Sequence, residues 1–87
     1  MGLLSENPLW DEFATRLLYS ASYGGADFGE VLTTMDRIGD GDADAWHREW
    51  TATARRVAGW AAESAERGHH VSARDAALRA AAYHRTA

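Results

Sequence analysis

The chain has 87 residues, 13 acidic and nine basic side chains, a net charge of −4 and no cysteine. That length allows one small domain, which buries only about 60–65% of the surface its unfolded chain would expose. Disulfide and thiolate chemistry are excluded, no apolar run reaches the ~18 residues of a membrane helix, and arginines interspersed with acids offer no basic patch for a phosphate backbone. A hydrophobic content of 46% with 25% charged residues is ordinary for a folded protein, so disorder is not expected. All nine basic residues are arginine and alanine is abundant, as the codon bias of a GC-rich genome such as an actinobacterial one would produce. Met1 to Glu6 lack a basic region and a long apolar core, so they do not read as a signal peptide, and cytoplasmic residence is expected.

Four helices are predicted, at roughly 8–21, 28–38, 43–67 and 73–87, in an all-α antiparallel array. Asn7 is a good N-cap and Pro8 suits the first helical position. Leu9, Phe13, Leu17 and Ala21 then form an i, i+4 stripe that should face the core, flanked by Trp10 and Leu18. The paired glycines Gly24 and Gly25 end this helix. Asp27 and Glu30 resemble a capping box for the second helix, whose expected buried face is Phe28, Val31, Leu32, Met35 and Ile38.

The third helix starts at Asp42 as N-cap and stops at Gly68 as C′ residue. Trp46, Trp50, Thr53, Val57, Trp60 and Ser64 fall within an arc of roughly 80° along it, opposite Arg48, Arg55, Arg56, Glu63 and Glu66. Its length makes it the spine of the array. Part of the tryptophan stripe should pack within the chain and the rest should be covered by a partner. Ser72 and Asp75 form a second capping box, with Val71 as hydrophobic staple, for an alanine-rich fourth helix. The short connection makes helices three and four antiparallel neighbours. Glu12–Arg16, Asp44–Arg48, Glu63–Arg67 and Asp75–Arg79 each stand at i, i+4, a spacing that supports the helix assignments. The last helical pattern runs to Ala87 without a stop signal, which reads either as a frayed terminal helix or as a chain cut inside a helix.

Local signals for chemistry are weak. Asp40, Asp42 and Asp44 suggest a calcium loop, but the glycine and glutamate required later in such a loop fall on Ala45 and Thr51. His47, His69, His70 and His84 lack the spacing of a zinc site. No serine stands in Gly-x-Ser-x-Gly, and Gly24-Gly25 lacks the further glycines and lysine of a phosphate loop. No metal and no cofactor are therefore expected. Core packing accounts for most of the aromatic stripe, yet large aromatics in so small a domain also make a wall for an apolar ligand or a docking partner.

Tyr23-Gly24-Gly25-Ala26-Asp27-Phe28-Gly29-Glu30-Val31-Leu32, Trp46-His47-Arg48-Glu49-Trp50, Gly68-His69-His70-Val71-Ser72-Ala73-Arg74-Asp75 and Arg79 to Ala87 carry a resemblance. Over about residues 10–87 the chain resembles the N-terminal helical region of α/β-hydrolases of the fermentation-respiration-switch-like and 2,6-dihydroxypseudooxynicotine-hydrolase-like subgroup. The resemblance implies a segment that precedes a full α/β-hydrolase domain, helps to build the cap over its active site and often joins dimer contacts. It implies that the serine, acid and histidine of the triad lie outside this chain, and that the last helix continues further.

Two readings follow. In one, the chain is the cap-forming piece of a serine hydrolase acting on a small-molecule ester, amide or C–C bond, with its catalytic domain on the same or a separate polypeptide. Tyr23, Trp46, Trp50 and Tyr83 are then the candidate pocket or interface positions. In the other, it is a stand-alone helical interaction module, such as a homodimer, without catalysis. Neither reading involves nucleic acid or a membrane.

Overall fold

A computed structural model describes Ser5 and residues 7–87, apart from the side chains of Ser22 and Tyr23. It is all-α: α1 spans Pro8–Tyr19, α2 Phe28–Ile38, α3 Ala43–Glu66 and α4 His70–Thr86, with a one-turn 3₁₀ segment at Ser20–Tyr23. No strand occurs among the described residues. The molecule measures 43 × 25 × 17 Å, and α3, about 36 Å long at 1.5 Å per residue, runs through most of its length.

The Asn7 side chain accepts from the backbone N–H groups of Leu9 and Trp10 at 3.1 and 3.3 Å, and Pro8 follows as the first helical residue. This satisfies two of the amides that a helix start leaves unpaired. The buried face of α1 differs from the expected stripe. Ala14 and Leu17 are buried, whereas Leu9 and Phe13 are 55% and 43% exposed. Trp10 sets the rotation: its indole stacks on Trp46 with centroids 5.2 Å apart, and an aromatic pair removes more surface from water than Leu9 would. Gly24, at φ +79°, takes the left-handed conformation that closes the 3₁₀ turn.

Asp27 accepts from the Glu30 N–H at 3.0 Å and starts α2. Val31, Thr34, Met35 and Ile38 are buried, but Phe28 and Leu32, expected in the core, are 62% and 36% exposed. A helix 11 residues long has room for one stripe, and that stripe is centred on the Val31–Ile38 line. Asp42 starts α3 by accepting from the Ala45 N–H at 3.0 Å. Trp46, Trp50, Thr53 and Val57 are buried as expected, while Trp60 is 45% exposed.

The α3–α4 junction explains why α4 begins before Ser72. His69 N–H donates to the Ser64 carbonyl at 2.8 Å and Gly68 N–H to Ala65 at 3.0 Å, with Gly68 at φ +77°. This is a Schellman ending, and it reverses the chain so tightly that His69 serves both as its last member and as the N-cap of α4. No side chain caps that end, so Ser72 and Asp75 lie inside the helix and form no capping box. Trp46 meets Thr86 and Trp50 meets Tyr83, so α4 lies antiparallel to α3. Ala76 and Ala80 are buried, and their small side chains permit the close approach.

Of the four expected i, i+4 ion pairs, Glu12–Arg16 forms at 2.7 Å. Arg48 turns instead to Glu49, Arg79 leaves Asp75 for Glu30 on α2, and no Glu63–Arg67 pair forms among the described residues. An exposed pair is worth only tenths of a kcal/mol, so other contacts readily decide these rotamers.

Helices α2 and α3 are joined by two fully buried threonines. Thr34 Oγ1 donates to the Glu30 carbonyl at 2.7 Å, and the Thr34 and Thr53 hydroxyls lie 2.6 Å apart. Because the Thr34 proton is already used, Thr53 donates to Thr34, and Arg56 Nη2 donates to Thr53 at 3.3 Å. Thr34→Val leaves the buried Thr53 hydroxyl proton without this acceptor and is expected to cost about 1–3 kcal/mol, whereas adding Thr53→Val recovers part of that loss. Denaturant unfolding of the two single variants and the double variant measures this coupling, and strict additivity would contradict it.

Candidate functional site

An aromatic ladder crosses three helices. Trp10 of α1 stacks on Trp46, Trp46 meets Trp50 at 5.7 Å, and Trp50 meets Tyr83 of α4 at 5.6 Å. Phe13 tilts against Trp46 at 6.4 Å. Offset and tilted ring pairs of this kind contribute about 0.5–1.5 kcal/mol each beyond their burial. The Trp46 Nε1–H donates to the Thr86 carbonyl at 2.9 Å, which ties the start of α3 to the end of α4. Trp50 is fully buried, and its Nε1–H has no hydrogen-bond acceptor among the described residues.

At the far end of the ladder the contacts turn polar. The Tyr83 hydroxyl donates to Glu30 Oε1 at 2.6 Å and accepts from the Asp27 N–H at 2.8 Å. Arg79 grips the same carboxylate with both arms of its fork, Nε to Oε1 at 2.8 Å and Nη2 to Oε2 at 3.2 Å. Such charge-assisted, bidentate bonds are among the stronger polar contacts in proteins. Burial, reinforced by the bond to Glu30, pushes the Tyr83 phenol well above its usual range. The bond to Glu30 likewise raises the Arg79 guanidinium. Neither group is poised to move a proton near neutral pH.

Two grooves flank the start of α2. One, of about 410 Å³, lies between α1 and the end of α4, with Phe13, Leu17 and Ala82 as its apolar wall and Arg16, Ser20, Arg85 and Thr86 as its polar edge. Its volume falls within the range of small-molecule sites. The other, of about 350 Å³, lies between α2 and α3 and is lined by Asp27, Gly29, Glu30, Thr33, Arg37, Arg56 and Trp60.

Trp46, Trp50 and Tyr83, three of the four candidate pocket or interface residues, come together in the ladder and are buried by the chain's own residues. The side chain of Tyr23 lies outside the described residues, as do Met1 to Leu4 and Glu6, on which the signal-peptide reading rested. Among the described residues no cluster of three His, Cys, Asp or Glu side chains is placed to hold a metal ion. No helix among them is long and apolar enough to cross a membrane. Sequence reasoning missed Glu30 and Arg79 as a pair, and the groove residues Phe13 and Arg85. The sequence carries no signal for that pair, since Asp75 stands at the favoured spacing before Arg79 and only the structure shows it half exposed and nearer Arg74.

Replacing Tyr83 by Phe removes a donor from Glu30 and an acceptor from Asp27, with an expected loss of about 1–3 kcal/mol. The raised phenol also sets a sign. The folded state holds this proton more tightly than the unfolded chain, so its stabilising effect is complete below about pH 10 and fades as pH rises further. Chemical denaturation across the alkaline range should therefore show wild type losing stability more steeply above pH 10 than Tyr83→Phe, and parallel curves would contradict the assignment.

No protein-family model matches the chain, and no solved structure matches it significantly. Curated relatives do. The chain is 46% identical over 70 residues to Hydrolase acrC of Aspergillus aculeatus, covering 80% of this chain and 16% of that protein. It is 39% identical over 85 residues to Alpha/beta hydrolase xenA of Xenoacremonium sinensis, covering 98% of this chain and 20% of that protein. It is also 39% identical over 77 residues to Alpha/beta hydrolase gkaG of Penicillium citrinum, covering 88% of this chain and 18% of that protein. These relatives are fungal, not actinobacterial. The chain thus spans only a sixth to a fifth of the length of these relatives. Across nearly its whole length, this all-helical chain is related to a short stretch of α/β-hydrolases.

Proposed function

We propose that this chain is the N-terminal, cap-forming piece of a cytoplasmic serine α/β-hydrolase whose catalytic triad lies on the remaining or a separate polypeptide. The observation that carries the reading is the match to hydrolases over 98% of this chain but only 20% of the relative. An all-helical piece without a nucleophile motif is what such a match leaves for a wall or lid. The chemistry would be acyl transfer: a serine hydroxyl, deprotonated by histidine, attacks a carbonyl, the bond to the leaving group breaks as that group takes the proton from histidine, and water then releases the acyl group. None of those groups is assigned to this chain. Its part is to exclude water from the reacting carbonyl and to orient the remainder of the substrate.

The α1–α4 groove suits that part better than the aromatic ladder does. Phe13 and Leu17 supply an apolar wall, and Arg85 stands at its edge. Trp46, Trp50 and Tyr83 then act indirectly, by fixing the helices that carry those residues.

On a panel of p-nitrophenyl esters, the 87-residue chain alone is expected to give no turnover above background. The polypeptide that joins it to its hydrolase domain should turn the esters over, and Phe13→Ala should raise KM several-fold with a smaller change in kcat. Saturable turnover by the 87-residue chain alone would contradict the reading.

A further inference from the structure

The α2–α3 groove presents a different chemistry from the α1–α4 groove. Trp60 is 45% exposed on its α3 side. Two guanidiniums, Arg37 and Arg56, line the same groove, and neither has a carboxylate partner among the described residues. Two acids also line it, but both are engaged. The Asp27 carboxylate caps α2 through the Glu30 N–H, and the Glu30 carboxylate is held by Arg79 and Tyr83. The surface therefore offers apolar area with positive charge still to be matched. Aromatic and arginine side chains are the residues enriched where interfaces concentrate their energy.

We infer that this face seats the α/β-hydrolase domain, through a segment of that domain that lays an apolar side chain against Trp60 and brings carboxylates to Arg37 and Arg56. The inference rests on the cap reading above and adds which face is covered. Charge argues for this occupant over a second copy docking face to face: the acids that line this groove, Asp27 and Glu30, are already engaged, so the same groove on a second copy offers no free carboxylate to the arginines. The relatives supply the room, since four-fifths or more of their length lies outside the stretch that this chain matches.

Hydroxyl-radical footprinting read by mass spectrometry tests it. In the 87-residue chain, Trp60 should label strongly. In the complete hydrolase it should lose most of that labelling, while Leu78, exposed on α4, keeps its own. Arg37→Glu with Arg56→Glu in the complete hydrolase should restore Trp60 labelling, whereas the corresponding lysine pair should not. Both arginines are exposed and Arg56 reaches the core only through its bond to the Thr53 hydroxyl, so an unchanged unfolding midpoint of the isolated chain checks that the core stays intact. Equal labelling of Trp60 in the two forms would overturn the proposal. So would protection of Trp60 that appears in the 87-residue chain alone as its concentration is raised, which would assign the face to a second copy. Ester turnover measured on the same preparation separates the two claims: turnover without Trp60 protection defeats the docking face alone, and absent turnover defeats the cap reading.

Discussion

The Tyr83 hydroxyl is the contact on which the arrangement of the other helices depends. It accepts from the N–H of Asp27, the N-cap of α2, and donates to Glu30 in the first turn, while Arg79, one turn back on α4, closes on the same carboxylate. α2 contributes no aromatic ring to the ladder that joins α1, α3 and α4. Its position is set instead by this partly buried polar cluster and by the buried Thr34–Thr53 pair. Polar groups in a low-dielectric interior are costly when unpaired and directional when paired, so they select one register where apolar packing would tolerate several. Fixing α2 also fixes both grooves, because Gly25, just before it, lines one and Asp27 lines the other.

The tryptophans divide the labour. Trp10, Trp46 and Trp50 are used to hold the molecule together, and Trp60 is left outside. A chain this small has one core to fill, and the inner end of the α3 stripe fills it against α1 and α4. Beyond Val57 the stripe extends past the helices that would cover it. The proposed function follows that split: a rigid inner framework, and outer surfaces free to meet substrate or the catalytic domain.

Much of this was legible in the residues, because the signals were local. Asn7, Asp27, Asp42 and Gly68 mark helix ends through their own side chains or backbone freedom, and all four act there. The buried run Trp46–Trp50–Thr53–Val57 follows directly from helical periodicity. What was not legible depends on neighbours in space. Leu9–Phe13 and Trp10–Ala14–Leu17 are both acceptable stripes on α1, and the choice falls to Trp46, 36 residues beyond Trp10. Ser72 and Asp75 have the residue types of a capping box, but the Schellman turn at Gly68 delivers the chain already in helical register at His70. Arg79 had a local acid at the favoured spacing and took a distant one instead, since Glu30 is shielded from solvent and already oriented by Tyr83. The groove residues carry no motif. They become a site only through the way α1 meets α4.

The central claim is that this chain shapes a hydrolase and does not perform the bond-breaking step. A fluorophosphonate, which phosphonylates an activated serine and little else, addresses that claim directly. After treatment of the complete hydrolase, peptide mapping should find the modification on one serine outside these 87 residues, with hydrolysis abolished in step. Stoichiometric modification at Ser5, Ser20, Ser22, Ser64 or Ser72 would place the nucleophile within this chain and contradict the account.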